Sequence, residues 1–241
     1  MTTKSDPREH GAGMTRRKAM LLMGGAVLAA RAGVQPAHAQ KLPACIVTPE
    51  QTEGPYFVDE RLHRADLRSD PTDGTVRTGV PLALTLHVLA VNAGGCAPLA
   101  GATVDVWHCD ANGLYSDVAD PRFDTTGKKF LRGYQITDAS GTVRFQTIYP
   151  GWYPGRTVHI HFKLRGRHAS GRTYEFTSQL YFDDAITDRV LAQAPYARNG
   201  MRRQTNDADG LFRRGGRQLL LPLVESGAGY AGSFDVGVRM S

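Results

Sequence analysis

Cysteine is scarce in this chain, with three in 241 residues. That excludes a disulfide-knit miniprotein, which needs paired cysteines at high density. No apolar run reaches the ~20 residues that a membrane-spanning helix requires. Internal repeats are absent, and no Ser/Gly/Pro linker divides residues 40–241, so those residues read as one domain. Hydrophobic residues make up 41% and charged residues 22%, an ordinary globular balance that excludes a disordered chain and a collagen-like repeat. What stands out is sign: 29 Lys and Arg against 23 Asp and Glu give a net charge of +6. Such an excess suits a nucleic-acid partner if it is spread over the folded surface.

It is not spread. Residues 1–39 hold Lys4, Arg8, Arg16, Arg17, Lys18 and Arg31 against Asp6 and Glu9, six less two, or +4. Thr15-Arg16-Arg17-Lys18 precedes an apolar run from Ala19 to Ala30, and Ala37-His38-Ala39 follows. A basic segment, an apolar segment and an A-x-A site are the anatomy of a cleaved signal peptide. The paired arginines resemble the twin-arginine export signal. We expect cleavage after Ala39, a working chain of residues 40–241, and a periplasmic or extracellular location. Export of already folded protein also favours a bound metal or other prosthetic group. Taking six and two from the totals leaves 23 basic and 21 acidic residues. That net of +2 points to no nucleic-acid partner, and nothing remains for stable membrane insertion.

Cys45, Cys96 and Cys109 all lie in the exported part. An odd count allows one disulfide and one free thiol. Cys45 with Cys96 is the candidate pair, since both adjoin turn-rich segments, although sequence leaves the connectivity open.

Alternation supplies the fold class. In residues 81–91, Leu82, Leu84, Leu86 and Val88 fall on one face, with Thr85 and His87 opposite, a period of two. Further strands are expected over 103–109, 142–148, 158–164 and 172–182, separated by turn signals such as Asp138-Ala-Ser-Gly141. One helix is expected over 184–194, ended by Pro195. A closing strand is expected near 218–223. Short strands, frequent turns and little helix predict an all-β fold, a β-sandwich of mostly antiparallel strands with long loops and one short helix.

The sharpest local pattern is Val158-His159-Ile160-His161-Phe162. Residues two apart on a strand share a face, so Val158, Ile160 and Phe162 point to the core. His159 and His161 then share the other face, about 7 Å apart along the chain, where two imidazoles can converge on one metal. The same spacing also suits two surface histidines. His108 and Cys109 do not make a second pair, because neighbours on a strand point to opposite faces. His63, His87 and His168 have no matching partners.

Three flanking motifs narrow the choice. They are Thr48-Pro49-Glu50-Gln51-Thr52-Glu53-Gly54-Pro55-Tyr56, Asn112-Gly113-Leu114-Tyr115 within the stretch from Val104, and Tyr149-Pro150-Gly151-Trp152-Tyr153-Pro154-Gly155-Arg156. With the histidine pair, and in this order, they resemble the intradiol ring-cleavage dioxygenases, the non-haem Fe(III) family of protocatechuate 3,4-dioxygenase and catechol 1,2-dioxygenase. The resemblance implies iron held by Tyr115, Tyr153, His159 and His161. Phenolate is a hard anionic donor suited to a trivalent ion, whereas zinc favours Cys, His and carboxylate. It further implies a catechol substrate cleaved by O2 between its two hydroxylated carbons to a muconate-type dicarboxylate. Tyr153 would be the releasable ligand that helps remove a substrate proton. Arg156 would stabilise the catecholate and the oxyanions that follow. Gln179 would orient Arg156 or the substrate, and Tyr56 would line the pocket rim. A homo-oligomer is also implied.

Two other classes compete. A secreted β-sandwich binding module without catalysis would need no Tyr–Tyr–His–His set. Another metalloenzyme using the His-x-His pair, such as a zinc hydrolase or copper oxidase, would need a further His, Cys or carboxylate ligand.

Overall fold

The computed structural model describes residues 45–167, 171–202 and 204–240. The export segment with its cleavage site, and His168, lie outside the described residues. The elements in chain order are β1 (Pro81–Asn92), β2 (Gly95–Pro98), β3 (Thr103–Trp107), β4 (Ala119–Asp120), β5 (Phe123–Asp124), β6 (Arg132–Ile136), β7 (Thr142–Ile148), β8 (His159–Arg167), β9 (Thr173–Tyr181), α1 (Asp184–Leu191), β10 (Leu223–Ser226) and β11 (Gly229–Arg239). Among the described residues no helix is long and apolar enough to cross a membrane.

Two sheets enclose the core. In the first, β1 runs parallel to β11 along its length, from Leu82 opposite Tyr230 to Val91 opposite Arg239. Its other edge is shared: β7 pairs antiparallel with the first half and β2 with the last four residues. The second sheet has the order β6-β3-β8-β9, every pair antiparallel. Leu82, Leu84, Leu86 and Val88 of β1 are buried in alternation with half-buried neighbours. They join Val143, Phe145, Val236 and Val238 from their own sheet and Val104, Val106, Ile160, Phe162, Leu164, Phe176 and Leu180 from the other in one apolar cluster. At roughly 1.5–3 kcal/mol for each large aliphatic side chain removed from water, this interface is the main force holding the all-β sandwich together.

Several element boundaries differ from the sequence expectation. The strand over 103–109 stops at Trp107, where His108 leaves the ladder to donate its backbone N–H to Leu131. The helix over 184–194 stops at Leu191. It starts cleanly, because the Asp183 carboxylate accepts the backbone N–H groups of Ala185 and Ile186. It ends early because Gln193 tightens the last turn by bonding to Val190, ahead of Pro195, which has no N–H to continue a helix. The closing strand near 218–223 is displaced. Residues 216–219 form a 3₁₀ turn, and closure is made by β10 and by the long β11 beside β1.

The sheet register prepares the site. On the second sheet Arg132 stands opposite Trp107, Trp107 opposite His161, and His161 opposite Gln179. His159 stands opposite Tyr181. Residues in register share a face, so all six lie on the side turned away from the apolar core.

Candidate metal centre

His159 and His161 rise from that outer face, and their rings lean together until the two Nε2 atoms are 3.0 Å apart. Both are 2% exposed, so the surface-histidine reading does not hold. The Nδ1 of His159 lies 2.6 Å from the Thr157 carbonyl. That contact places the proton on Nδ1 and turns the Nε2 lone pair toward the cluster. His161 is oriented by stacking: its ring lies 4.9 Å from Trp107 at an interplanar angle of 7°. The backbone at Gly54 passes along the ring edge.

Two loops bring in the tyrosines, and they cross at two glycines. Gly113, with φ near +82°, sits where a Cβ would be 2.3 Å from the Trp152 carbonyl oxygen. Gly151 sits where a Cβ would be 2.5 Å from the carbonyl oxygens of Asp110 and Ala111. Each glycine is two residues ahead of its tyrosine. Without them the loops could not approach backbone to backbone, and Tyr115 and Tyr153 would not meet. Their rings pack edge to face at 5.6 Å. Tyr153 Oη is 3.2 Å from His159 Nε2, and the Tyr115 ring is 6.3 Å from that of His161. Tyr56 stacks on Tyr115 at 4.6 Å, and its hydroxyl donates to the Asp120 carboxylate at 2.7 Å while accepting from Arg122 at 3.1 Å.

Burial sets the protonation state of the four groups. Burial, followed by the facing Tyr153, pushes the Tyr115 phenol well above its ordinary range. Burial likewise raises Tyr153. Burial, reinforced by the charge of Arg156, holds His159 well below the ordinary histidine value, and burial with the neighbouring His159 does the same to His161. The four groups are therefore neutral donors until a cation makes ionising the phenols favourable. Among the described residues Tyr115 Oη is buried with no hydrogen-bond partner, a costly state for a polar atom unless a ligand engages it. Two phenol oxygens and two imidazole nitrogens brought together, three of the four residues buried and Tyr153 half-buried, fit a hard trivalent metal. His159 and His161 have no third His, Cys or carboxylate partner for a zinc-type set among the described residues.

Arg156 closes one side. Its Nε donates to the Asp209 carboxylate at 2.8 Å and its Nη2 to Gln179 Oε1 at 2.6 Å, while Nη1 lies 3.5 Å from His159 Nε2. Burial opposes its charge, but Tyr153 and Asp209 outweigh burial and hold it above its ordinary value. Gln179, fully buried, donates to the Thr52 carbonyl at 2.9 Å. Tyr181 donates to Gln51 Oε1 at 2.6 Å and lies 3.1 Å from Gln179 Oε1. Arg132, 3% exposed, donates through Nε to Ser116 Oγ at 2.7 Å and through its Nη atoms to the Tyr56 carbonyl. It thus ties the Tyr56 segment to the residue after Tyr115.

Sequence reasoning missed Asp209, Tyr181, Gln51 and Arg132. Tyr181 carried a signal, being two residues after Gln179 on one strand face, as His161 is after His159. Asp209 carried none, standing 53 residues from Arg156 in a segment without periodicity. The residues set aside as non-ligands are engaged elsewhere, although Cys109 packs in the same buried cluster as Tyr115. His108 is held between the Cys109 carbonyl at 2.8 Å and Thr147 Oγ1 at 2.6 Å, and the Cys109 thiol points to the Gly151 carbonyl. His63 stacks on Tyr134, and His87 bonds to Thr142. Cys45 and Cys96 form a disulfide, leaving Cys109 free and buried.

The family model described as Dioxygenase matches residues 52–210. An intradiol ring-cleavage dioxygenase from Tetranychus urticae is 32% identical, with a TM-score of 0.69 over 81% of this chain and 95% of that one. The dioxygenase domain of a dioxygenase carbohydrate-binding protein fusion from Streptomyces sp. SirexAA-E is 35% identical, with a TM-score of 0.56 over 81% of this chain and all of that one. The protocatechuate 3,4-dioxygenase beta chain of Burkholderia cepacia is 34% identical over 139 residues, 54% of this chain and 56% of that protein. The chain thus spans about half the length of the curated relatives it matches. It belongs to the intradiol ring-cleavage dioxygenase family.

Proposed function

We propose that this chain is a non-haem Fe(III) enzyme that uses O2 to cleave a catecholic ring between its two hydroxylated carbons, giving a muconate-type dicarboxylate. The observation that carries the reading is the convergence of Tyr115, Tyr153, His159 and His161 next to Arg156. Those four residues would hold the ion. When bound, the ferric ion supplies the charge that ionises the two phenols and the electron-withdrawing character that opens a bound catecholate to O2.

The protein side of the reaction follows from the geometry. Tyr153 Oη lies 3.2 Å from His159 Nε2 and would accept a proton from the incoming catechol. A buried phenol whose neutral form is favoured by burial is a good proton acceptor once it carries charge. Arg156 presents Nη1 toward the cluster and would stabilise negative charge building on substrate oxygens. Gln179 holds Nη2. Tyr56 forms the rim, anchored through its hydroxyl to Asp120.

Residues 1–39 act as the twin-arginine signal in this reading, and the working enzyme is a homo-oligomer in the periplasm or outside the cell. The Cys45–Cys96 disulfide supports an oxidising compartment. Sequencing the N-terminus of exported protein tests the signal: a start at Gln40 agrees, and a start far from it rejects the assignment. The reaction is tested by oxygen uptake against a panel of catechols, with metal analysis of the same sample. Iron near one per chain with catechol-dependent uptake is expected. Activity with stoichiometric zinc or copper and no iron would reject the reading.

A further inference from the structure

The Asp209 carboxylate is saturated in an unusual way. Its Oδ2 accepts the Nε–H of Arg156 at 2.8 Å and the backbone N–H of Thr157 at 2.9 Å. Its Oδ1 accepts the backbone N–H groups of Leu211 at 2.7 Å and Phe212 at 3.2 Å. One side chain, 1% exposed, thus rivets the turn at 209–212 to the loop that enters β8 two residues before His159. Asn206 adds a second rivet, accepting from Thr157 Oγ1 at 2.8 Å and donating to the Phe182 carbonyl at 2.7 Å.

The guanidinium is fixed as a consequence. An arginine has a rigid planar fork of three nitrogens. Asp209 takes Nε and Gln179 takes Nη2, with Tyr181 at 3.4 Å. Nη1 alone is left facing the cluster, beside His159 Nε2. Two anchored corners of a planar group determine the third. Gln179 by itself would leave the plane free to swing about one contact, and an amide cannot balance the buried charge. Asp209 does both.

We infer that Asp209 is a positioning residue for the ring-cleavage reaction: it clamps Arg156 so that Nη1 is aimed at the substrate oxygens. The inference rests on the dioxygenase reading for its kinetic consequence, but the clamp is measurable without it.

The test is a cycle of Asp209→Asn, Arg156→Gln and the double variant in the iron-loaded protein. A misplacement of about 1 Å in such a site costs on the order of a hundredfold, so Asp209→Asn should lower kcat/KM by roughly ten- to a hundredfold with iron content unchanged. In the Arg156→Gln background the same change should cost less than about twofold, because its effect passes through the arginine. Wild-type kcat/KM in Asp209→Asn, or an equal loss in both backgrounds, overturns the inference. Asp209→Glu, which keeps the charge and shifts the carboxylate, should lose activity by the same route and serves if the asparagine variant fails to fold. The second readout is the Arg156 Nε–H resonance of metal-free protein. Slow hydrogen exchange in wild type and fast exchange in Asp209→Asn or Asp209→Glu supports the clamp. Equal exchange overturns it. Should wild type consume no oxygen with any catechol, the dioxygenase reading fails, and the exchange measurement still decides the clamp.

Discussion

Single residues in this protein divide sharply between those that hold the fold and those kept at a cost to it. Among the described residues Tyr115 Oη is buried without a hydrogen-bond partner, so removing it relieves a desolvated polar atom. Tyr115→Phe should leave the metal-free protein within about 1 kcal/mol of wild type. Iron affinity should nonetheless fall by more than about tenfold, since even partners of ligands are worth that much. Calorimetry of the metal-free form and iron titration separate the two effects; a strongly destabilised metal-free variant would contradict this assignment. His108 shows the opposite type. Burial pulls its pKa to about 4, with Arg132 adding to the effect and the Cys109 carbonyl opposing it. An unfolded histidine takes a proton near 6.5. Between those values the unfolded chain binds more protons than the folded one, so His108 makes stability fall as pH drops through that window. In His108→Gln the decline in melting temperature of metal-free protein between pH 7 and 4.5 should be shallower. Equal slopes would show that His108 is not a source of acid lability.

Elements were legible wherever a period of two met a buried face. β1 declares itself through Leu82, Leu84, Leu86 and Val88, and β8 through Ile160, Phe162 and Leu164. β11 hides because Gly232, Ser233, Asp235 and Gly237 interrupt its apolar alternation, although pairing with β1 over its whole length makes it a central element. The ligand-bearing loops were legible as motifs, but their crossing was not, because it depends on backbone contacts between residues about 40 apart. That crossing makes a prediction. Gly151→Ala introduces a Cβ against two carbonyl oxygens, and crowding of this kind typically costs about 1–3 kcal/mol. Tyr153 follows Gly151 closely, so if the proposed iron site holds, the variant should also lose its tyrosinate-to-iron colour out of proportion to its loss of stability. Retained colour in a destabilised variant would mean that the loops can part without moving the tyrosine. Asp209 could not have been found from sequence at all: its role comes from the turn it caps and the arginine it meets, and neither leaves a local pattern.

At the scale of the molecule, one sheet packs its inner face into the core and carries the candidate site on its outer face, so the register that builds the sandwich also spaces Trp107, His161 and Gln179. The Cys45–Cys96 disulfide ties the segment leading to Tyr56 back to the β1–β2 hairpin across a sequence separation of 51. Reducing it should lower stability by about 2–4 kcal/mol, the usual range for a native cross-link, as read from urea unfolding with and without reductant; an unchanged midpoint would show that β-sheet pairing alone fixes this end. The proposed reaction joins both atoms of O2 to the ring carbons of one catechol. The measurement that meets the central claim most directly is product analysis after turnover of catechol with isotopically labelled O2. The account predicts a ring opened between the two hydroxylated carbons, recovered as a dicarboxylate carrying oxygen from O2. A product opened beside the hydroxylated pair, or catechol recovered intact with no oxygen consumed by iron-loaded protein, would contradict it.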